Sequence, residues 1–587
     1  MQTNLGNESR SAETNGQIDG QQSDARTFRR RPILKALGTA GAIGVFSGFA
    51  SAADEGNAQT DESFDVAEAT IAEIRTAITT ETTTARAVTK QYLDRIEKYD
   101  DELNSIITVN PNALERAKEL DSTFADSGPV GPLHGIPTIL KDNYDTGDLP
   151  TTAASVALED SIPPDDAFVV ARLREAGAII LAKGNMHEYA YGGETVSSLG
   201  GQTRNAYALD RLPEGSSGGS AAAIAANLGA ISTGSDTCSS VRGPPAVNNL
   251  VGIRPTMGLV SRDGIIPLSE TQDTGGPMTR TVTDAAAMLD TMAGYDPSDS
   301  ITARSIGQIP DDGYVSYLNS DGLDGAQIGV SREFFGIQGD PDDIPVGEES
   351  AAEVTAVVDT AIEDMKSEGA TIIDPVTYVT ESTNPGTESL DADSITELLD
   401  GTSVTNLEFK RDINNYLDSL DDPPVDNLAE IIETGQYFPE TFRSDEYDAE
   451  ELAGGIGDAL RAAEDVDVDA LNENTEYLRR LANREAVKTT ILATMAESDV
   501  DALLYPTTTV PPQEIGQDQP FSQANCEQAA FSGLPAVTVP AGFTASDELP
   551  VGVELLGHEF AEPRLIELVY SYEQATMHRR PPDEFGH

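Results

Sequence analysis

After a polar stretch that reaches Asp65, apolar residues recur at helical spacing through Val66–Thr79 and Thr83–Tyr99, and each run predicts an amphipathic helix. Farther along, short apolar and β-branched runs take over: Pro137–Leu140, Ala178–Ala182, Leu228–Thr233, Gln327–Ser331, Thr371–Ile373, Ala502–Tyr505, Ala536–Val539 and Val551–Leu556. Each has the length and composition of a buried strand. Helical patterns lie between them at Ala167–Ala176, Ser220–Asn227, Ala351–Ser367, Glu476–Glu497 and Arg564–Met577. Apolar strands alternating with amphipathic helices predict an α/β fold, a sheet covered by helices on both faces. From about residue 383 to 468 the chain turns acidic, with Leu, Ile and Tyr at helical spacing in Asn406–Leu417 and Val425–Glu433. That stretch reads as a helical insertion over the sheet's edge.

Charge changes the picture of the solvent. The 587 residues carry 100 Asp and Glu against 37 Lys and Arg, a formal net charge of −63. Such a surface repels phosphates, which excludes nucleic acid and anionic membranes as partners. The 39% of hydrophobic residues, set in periodic runs, argue for a folded chain and against disorder. The acid excess therefore predicts a halophilic protein kept soluble in concentrated salt, where screening shortens charge repulsion to about 3 Å at 1 M. The two cysteines, Cys238 and Cys526, can pair at most once, and the five histidines show no metal-ligand spacing. No metal and no cofactor are expected.

The start of the chain has its own pattern. Arg29-Arg30-Arg31 precedes Pro32-Ile33-Leu34-Lys35, an apolar Gly- and Ala-rich run from Ala36 to Ala50, and the small residues Ser51-Ala52-Ala53. That order reads as a signal peptide, and the paired arginines resemble the twin-arginine type. The run is too short and too rich in glycine to span a bilayer well, so no stable membrane insertion is expected; retention as an uncleaved anchor is the alternative. The expected organisation is a signal peptide at 1–53, a linker at 54–65 and one domain over 66–580, secreted or held at the cell surface.

The densest candidate chemistry lies between Glu214 and Arg242. Glu214-Gly215-Ser216-Ser217-Gly218-Gly219-Ser220 opens into an Ala-rich helix, and an apolar strand then leads to Gly234-Ser235-Asp236-Thr237-Cys238-Ser239-Ser240-Val241-Arg242. A Ser/Gly cluster is compatible with a flexible linker, but glycine loops at strand and helix ends also expose backbone N–H groups to an anion. Gly215-Ser216-Ser217-Gly218-Gly219 also satisfies G-x-S-x-G, the nucleophile elbow of α/β-hydrolases, with His558 or His578 as a late base. That elbow requires a strand directly before it, and the preceding Asn205–Glu214 is polar and broken by proline.

Together these residues resemble the amidase signature family, which has a G-S-S-G-G-S run, a helix, a G-T-D-x-x-x-S-[IV]-R loop and an upstream L-H-G-I-P-x-x-x-K-D strand. Here the upstream piece is Leu133-His134-Gly135-Ile136-Pro137-Thr138-Ile139-Leu140-Lys141-Asp142. Lys183-Gly184-Asn185-Met186-His187-Glu188, Val251-Gly252-Ile253-Arg254 and Gly533-Leu534-Pro535-Ala536 extend the likeness over roughly residues 65 to 580. The resemblance implies the amidase signature fold, with a large mixed central sheet, and hydrolysis of carboxamide C–N bonds. It implies Ser240 as nucleophile, Ser216 as bridging serine behind a cis peptide bond from Gly215, and Lys141 as base. It further implies an oxyanion hole from the backbone N–H groups of Thr237, Cys238, Ser239 and Ser240. The chemistry is intelligible: a serine hydroxyl needs a proton acceptor, and a lysine accepts only when burial has made it neutral.

Departures matter too. The family commonly has Gly-Gly where Cys238-Ser239 stand, so side chains there carry a cost if the backbone needs positive φ. Cys238 is itself a candidate nucleophile. Asp236 and Arg242 are candidates for catalysis or, as the preferred reading, for a loop-stabilising ion pair. Gly201–Asp210 and Glu573-Gln574-Ala575-Thr576 resemble the peptide-amidase branch, which implies small amides or C-terminally amidated peptides as substrates. The alternatives are the glutaminase subunit of a tRNA-dependent amidotransferase and a non-catalytic surface binding protein on the same fold. An export signal speaks against the first, and the retained Lys141, Ser216 and Ser240 against the second.

Overall fold

The computed structural model describes residues 64–338, 347–379, 394–435, 449–517 and 523–586. The expected signal peptide and nearly all of the linker lie outside the described residues.

Helices begin where side chains can receive their first N–H groups. The first starts at Ile71 and not at Val66, because Thr70 and Glu73 form a reciprocal capping box. The second, Ala85–Leu103, starts after Thr84, whose hydroxyl accepts from the Ala87 N–H. Eleven strands then build one sheet. In chain order they are β1 (Ile106–Val109), β2 (Pro137–Lys141), β3 (Ile179–Gly184), β4 (Ile231–Asp236), β5 (Val251–Arg254) and β6 (Thr274–Thr279). The rest are β7 (Gln327–Val330), β8 (Thr371–Ile373), β9 (Ala502–Pro506), β10 (Ala536–Phe543) and β11 (Pro550–Leu556). Their spatial order is β1-β3-β2-β4-β6-β5-β10-β11-β9-β7-β8. β2 runs parallel to β3 and β4, and β7 runs parallel to β8 and β9. The other neighbours are antiparallel, so the sheet is mixed.

Every residue of β2, β3, β4, β5, β6, β9 and β11 is buried, which requires cover on both faces. Helix Gly218–Ala225 packs on β2 and β4, Val282–Met292 on β5 and β6, and Glu562–Thr576 on β10 and β11. The described part of the acidic stretch is helical, with Thr405–Ser419, Leu428–Thr434 and Ala449–Glu464. Its Phe409, Ile413, Tyr416 and Leu417 share a core with Ala153, Ala154, Tyr189, Ile266 and Leu268. Those are loop and short-helix residues beyond the strands, so the stretch covers the loops that surround the chemistry. Among the described residues no helix is long and apolar enough to cross a membrane.

The topology positions the site through one pair of strands. β2 and β4 are parallel neighbours in the register Thr138↔Ile231 and Ile139↔Ser232, so both release their C-terminal ends on the same side. Lys141 ends β2 and Ser235-Asp236 end β4. The Lys141 N–H donates to Thr233 Oγ1 at 3.1 Å, which fixes the two ends together.

Candidate active site

Lys141 stands fully buried at the end of β2, with its ammonium nitrogen among oxygens. Nζ lies 2.7 Å from Ser216 Oγ, 2.9 Å from Ser235 Oγ and 3.3 Å from the Ser235 carbonyl. Ser216 Oγ lies in turn 2.9 Å from Ser240 Oγ, and the Ser216 N–H donates to the same Ser240 oxygen at 2.8 Å. The Gly215–Ser216 peptide bond is cis. The structure thus brings Lys141, Ser216 and Ser240 into one continuous chain of hydrogen bonds. Burial drives the pKa of the Lys141 ammonium down to about 7, against the opposing pull of Asp236 and Asp273.

The direction of that chain follows from donor counting. A protonated lysine has three donors and no acceptor, so it must donate to Ser216. A neutral amine has two N–H bonds and one lone pair. With both N–H bonds directed at the Ser235 hydroxyl and carbonyl oxygens, the lone pair faces Ser216, and Ser216 is then free to accept from Ser240. Ser235 Oγ is itself held by the Asn143 amide at 2.9 Å. Loss of one proton from Lys141 therefore reverses the polarity of the whole relay.

The loop after β4 supplies the other half of the site. Among the described residues no hydrogen bond uses the N–H groups of Thr237, Cys238, Ser239 or Ser240. The loop is held from beneath by Asp236, whose Oδ2 accepts from the Val241 N–H at 3.0 Å. Asp236 also pairs with Arg242 at 3.2 Å and with Arg254 at 2.5 Å, and Arg242 pairs with Glu554 at 2.5 Å. All four side chains are buried. Burial alone would raise the Asp236 carboxyl, but Arg242 and Arg254 outweigh it and hold it below its ordinary value. From the side, the Thr237 hydroxyl donates to Asp273 at 2.5 Å, and the Gln272 amide donates to the Thr237 carbonyl at 3.2 Å.

A nucleophile-ready serine pair, a neutralisable lysine and a row of unengaged N–H groups form the minimal equipment for acyl transfer. The model of the family described as Amidase matches residues 87–566, most of the chain. The chain belongs to the amidase family. It is 34% identical over 536 residues to a probable amidase of Arabidopsis thaliana, spanning 88% of this chain and 92% of that one. It is also 34% identical over 529 residues to a glutamyl-tRNA(Gln) amidotransferase subunit of Thermoanaerobacter pseudethanolicus, spanning 88% and 98%. Its fold is similar to that of the native peptide amidase of Stenotrophomonas maltophilia, with a TM-score of 0.73, 34% identity, and coverage of 88% and 98%. The protein is an amidase-family hydrolase of amide C–N bonds, and its mixed sheet with covering helices is the amidase signature fold.

Several expectations for this amidase change in the light of its geometry. Cys238 cannot be a nucleophile, because its sulfur is bonded to that of Cys526. Neither Cys238 nor Ser239 adopts a positive φ, so their side chains sit without the backbone cost that replacing two glycines suggested. The nucleophile-elbow alternative fails on contacts as well as on context. Ser217, its serine, faces the Ser235 carbonyl at 3.4 Å, while His558 contacts the Glu559 carbonyl and His578 lies 3.6 Å from Asp364. Asp236 and Arg242 form the ion pair preferred from the sequence, extended by Arg254 and Glu554 into a network that pairing rules do not reveal.

The site residues missed in the sequence are Ser235, Asn143, Gln272 and Asp273. The first two lie inside or beside the motifs, and their signal is adjacency to Lys141 and Asp236. Gln272 and Asp273 sit on a loop with no motif, which only the tertiary structure brings against Thr237.

Proposed function

We propose that this amidase hydrolyses the C-terminal carboxamide of amidated peptides, or related small amides, through Ser240, Ser216 and Lys141 by way of an acyl-enzyme. The observation that carries the reading is the unbroken relay from Lys141 Nζ to Ser216 Oγ at 2.7 Å and on to Ser240 Oγ at 2.9 Å. Ser240 Oγ attacks the carbonyl carbon, its proton passes to Ser216, and the Ser216 proton passes to neutral Lys141. The carbonyl oxygen becomes an oxyanion received by the N–H groups of residues 237–240, an interaction that strengthens as charge develops. As the C–N bond breaks, Lys141 returns a proton through Ser216 to the leaving nitrogen, and ammonia or an amine departs. Water then enters, gives a proton to the same relay and attacks the ester carbon, so that the acid leaves and Ser240 is restored.

The peptide-amide class is supported by the likeness of Gly201–Asp210 and Glu573–Thr576 to the peptide-amidase branch and by the similarity to the Stenotrophomonas enzyme. The Thermoanaerobacter amidotransferase subunit matches at the same identity, so identity alone does not choose between the two. Purified protein should be assayed on amidated peptides, simple aliphatic and aryl amides, and free glutamine. Turnover of amidated peptides at kcat/KM well above that for glutamine is the expected result; preference for glutamine would transfer the reading to the amidotransferase class. We further propose export by the twin-arginine route, on the order of Arg29-Arg30-Arg31, the apolar run and Ala50–Ala53, in a salt-rich setting suited to the net charge of −63. Replacing Arg30 and Arg31 with Lys should retain the protein in the cell, and unchanged secretion would refute the route.

A further inference from the structure

The loop that offers the four N–H groups contains no glycine between Gly234 and Gly243, yet it must hold those groups convergent on one oxygen. Its midpoint, Cys238, is half-buried and stands two residues before Ser240. It is bonded to Cys526, 288 residues away in the chain, with the two Cα atoms 5.0 Å apart. Cys526 is buried at the start of helix Glu527–Ser532, which packs against the long helix Thr475–Ser498. The two cysteines are also joined through their backbones. Arg242 Nη2 donates to the Cys238 carbonyl and lies 3.3 Å from the Cys526 carbonyl. One guanidinium, already fixed by Asp236 and Glu554, therefore spans the same two residues as the covalent bond.

The remaining ties act on Thr237 and Val241, the flanks of the loop. Thr237 is held by Asp273 and Gln272, and Val241 by Asp236. Between them, the only described ties at Cys238 are the disulfide and the Arg242 contact. Ser239 is tied at its carbonyl, which accepts from the Arg242 and Gly243 N–H groups at 2.7 and 2.8 Å, and its hydroxyl adds one long hydrogen bond, at 3.5 Å, to the Gly215 carbonyl.

We propose that the Cys238–Cys526 disulfide is a positioning element of the active site, holding the centre of the oxyanion-binding loop so that full catalytic rate belongs to the oxidised enzyme alone. The inference rests on the acyl-transfer reading above. Reduction by a dithiol converts the bond to two thiols while the reagent closes to its own cyclic disulfide, and Cys238 then keeps only the Arg242 contact at its carbonyl and the apolar packing of its side chain. The consequence falls on the step in which negative charge appears. Losing one fixed oxyanion donor commonly lowers kcat by about 10²–10³, and a loosened loop that keeps its donors should lose about tenfold. Substrate binding, which does not depend on the charge-bearing oxygen, should change KM by less than about twofold.

The test uses the full chain and a C-terminally amidated peptide. kcat and KM are measured before and after incubation with dithiothreitol, with free thiols titrated in parallel and the fold followed by circular dichroism well below the melting temperature. In the same samples, the rate of fluorophosphonate labelling reports Ser240 reactivity without reference to any amide. The expected result is a fall in kcat of about tenfold that tracks the appearance of two thiols per chain, a nearly constant KM, and recovery on reoxidation. The folded double variant Cys238→Ser/Cys526→Ser should show the lowered kcat and no response to dithiothreitol. Two titrated thiols with kcat unchanged would overturn the proposal, as would a fall in kcat that tracks loss of the circular dichroism signal. If the oxidised wild type neither turns over amides nor labels at Ser240, the acyl-transfer reading fails and the inference falls with it. If it does both and reduction changes neither, the disulfide inference fails alone.

Discussion

The loop around Ser216 and the loop around Ser240 meet at 2.9 Å, yet they are immobilised by different means. The first is held by close approach, which also lets the His187 N–H reach the Ser216 carbonyl at 3.0 Å and the Gly219 N–H reach the Asn185 carbonyl at 3.1 Å. A Cβ on Gly219 would lie 2.2 Å from the Asn185 carbonyl oxygen, and one on Gly218 would lie 2.5 Å from Thr195 Oγ1. The backbone there is pressed against neighbouring backbone and short side chains, and any added atom must displace them. The second loop is held by what it has: a disulfide, two buried arginines and a threonine on a buried carboxylate. A loop fixed by close approach is intolerant at every glycine, whereas a loop fixed by discrete ties is intolerant only at the residues that make them.

Substitutions separate these two modes. The largest effect is expected from Ser240→Ala, which removes the proposed nucleophile and leaves both loops in place; kcat should fall by about 10⁴-fold or more, with the melting temperature preserved. Near-normal turnover in that variant would remove Ser240 from the reaction. Next comes Lys141. Lys141→Ala and Lys141→Arg should both lose about 10²–10⁴ in kcat/KM, because a guanidinium keeps its charge and accepts no proton. On the proposed mechanism only the neutral amine is active, so kcat/KM should climb about tenfold per pH unit below about 7, the value to which burial brings Lys141, and level off above it. A wild-type rate that falls as pH rises through 7, or an active Arg variant, would show that the charge and not the lone pair is needed.

The third effect probes the close-packed loop directly. Gly219→Ala should destabilise the protein by about 3 kcal/mol, the upper end of ordinary overpacking, and should lower kcat by displacing Ser216. A melting temperature equal to that of the wild type would show that the Asn185 turn yields easily. Smallest of all is Ser239→Ala in the tied loop. It removes one long hydrogen bond to the Gly215 carbonyl and should cost about 1 kcal/mol or less. Measured by thermal melting and steady-state rates, a much larger loss would mean that side chains throughout the second loop, and not only its ties, set its shape.

The same contrast explains what could be read along the chain. The relay residues are legible because each sits in a short motif that resembles one of the amidase signature family; spacing and glycines alone leave a linker or an anion-binding loop open. The apolar runs likewise foretell β2, β3, β4 and the strands from β7 onward. β6 escapes because Thr-Gly-Gly-Pro-Met-Thr reads as a turn, though its glycines are needed where a Cβ on Gly276 would lie 2.2 Å from the Ile253 carbonyl oxygen. β5 escapes because Val-Gly-Ile-Arg ends in a charge, which the buried Asp236 and the Gln272 carbonyl make tolerable within the sheet. Helix Gly243–Val247 is hidden by its prolines, which are acceptable in a first helical turn. The ties of the second loop are illegible for a simpler reason: Cys526, Glu554 and Arg254 have no sequence relation to Cys238 and Arg242 until the sheet has brought them together.

The order of strands has a consequence for how the molecule comes into being. β1 to β6 form one contiguous half of the sheet, and β7, β8 and β9 form the far end, but the strands that join them, β10 and β11, are the last to be synthesised. Until they emerge, β5 and β9 are open edges with unpaired backbone groups, which are templates for pairing with another chain. Cys526, Glu554 and the helix Glu562–Thr576 arrive in the same final segment. The nascent chain therefore holds its lysine and both serines long before the strands and ties that fix them have been made.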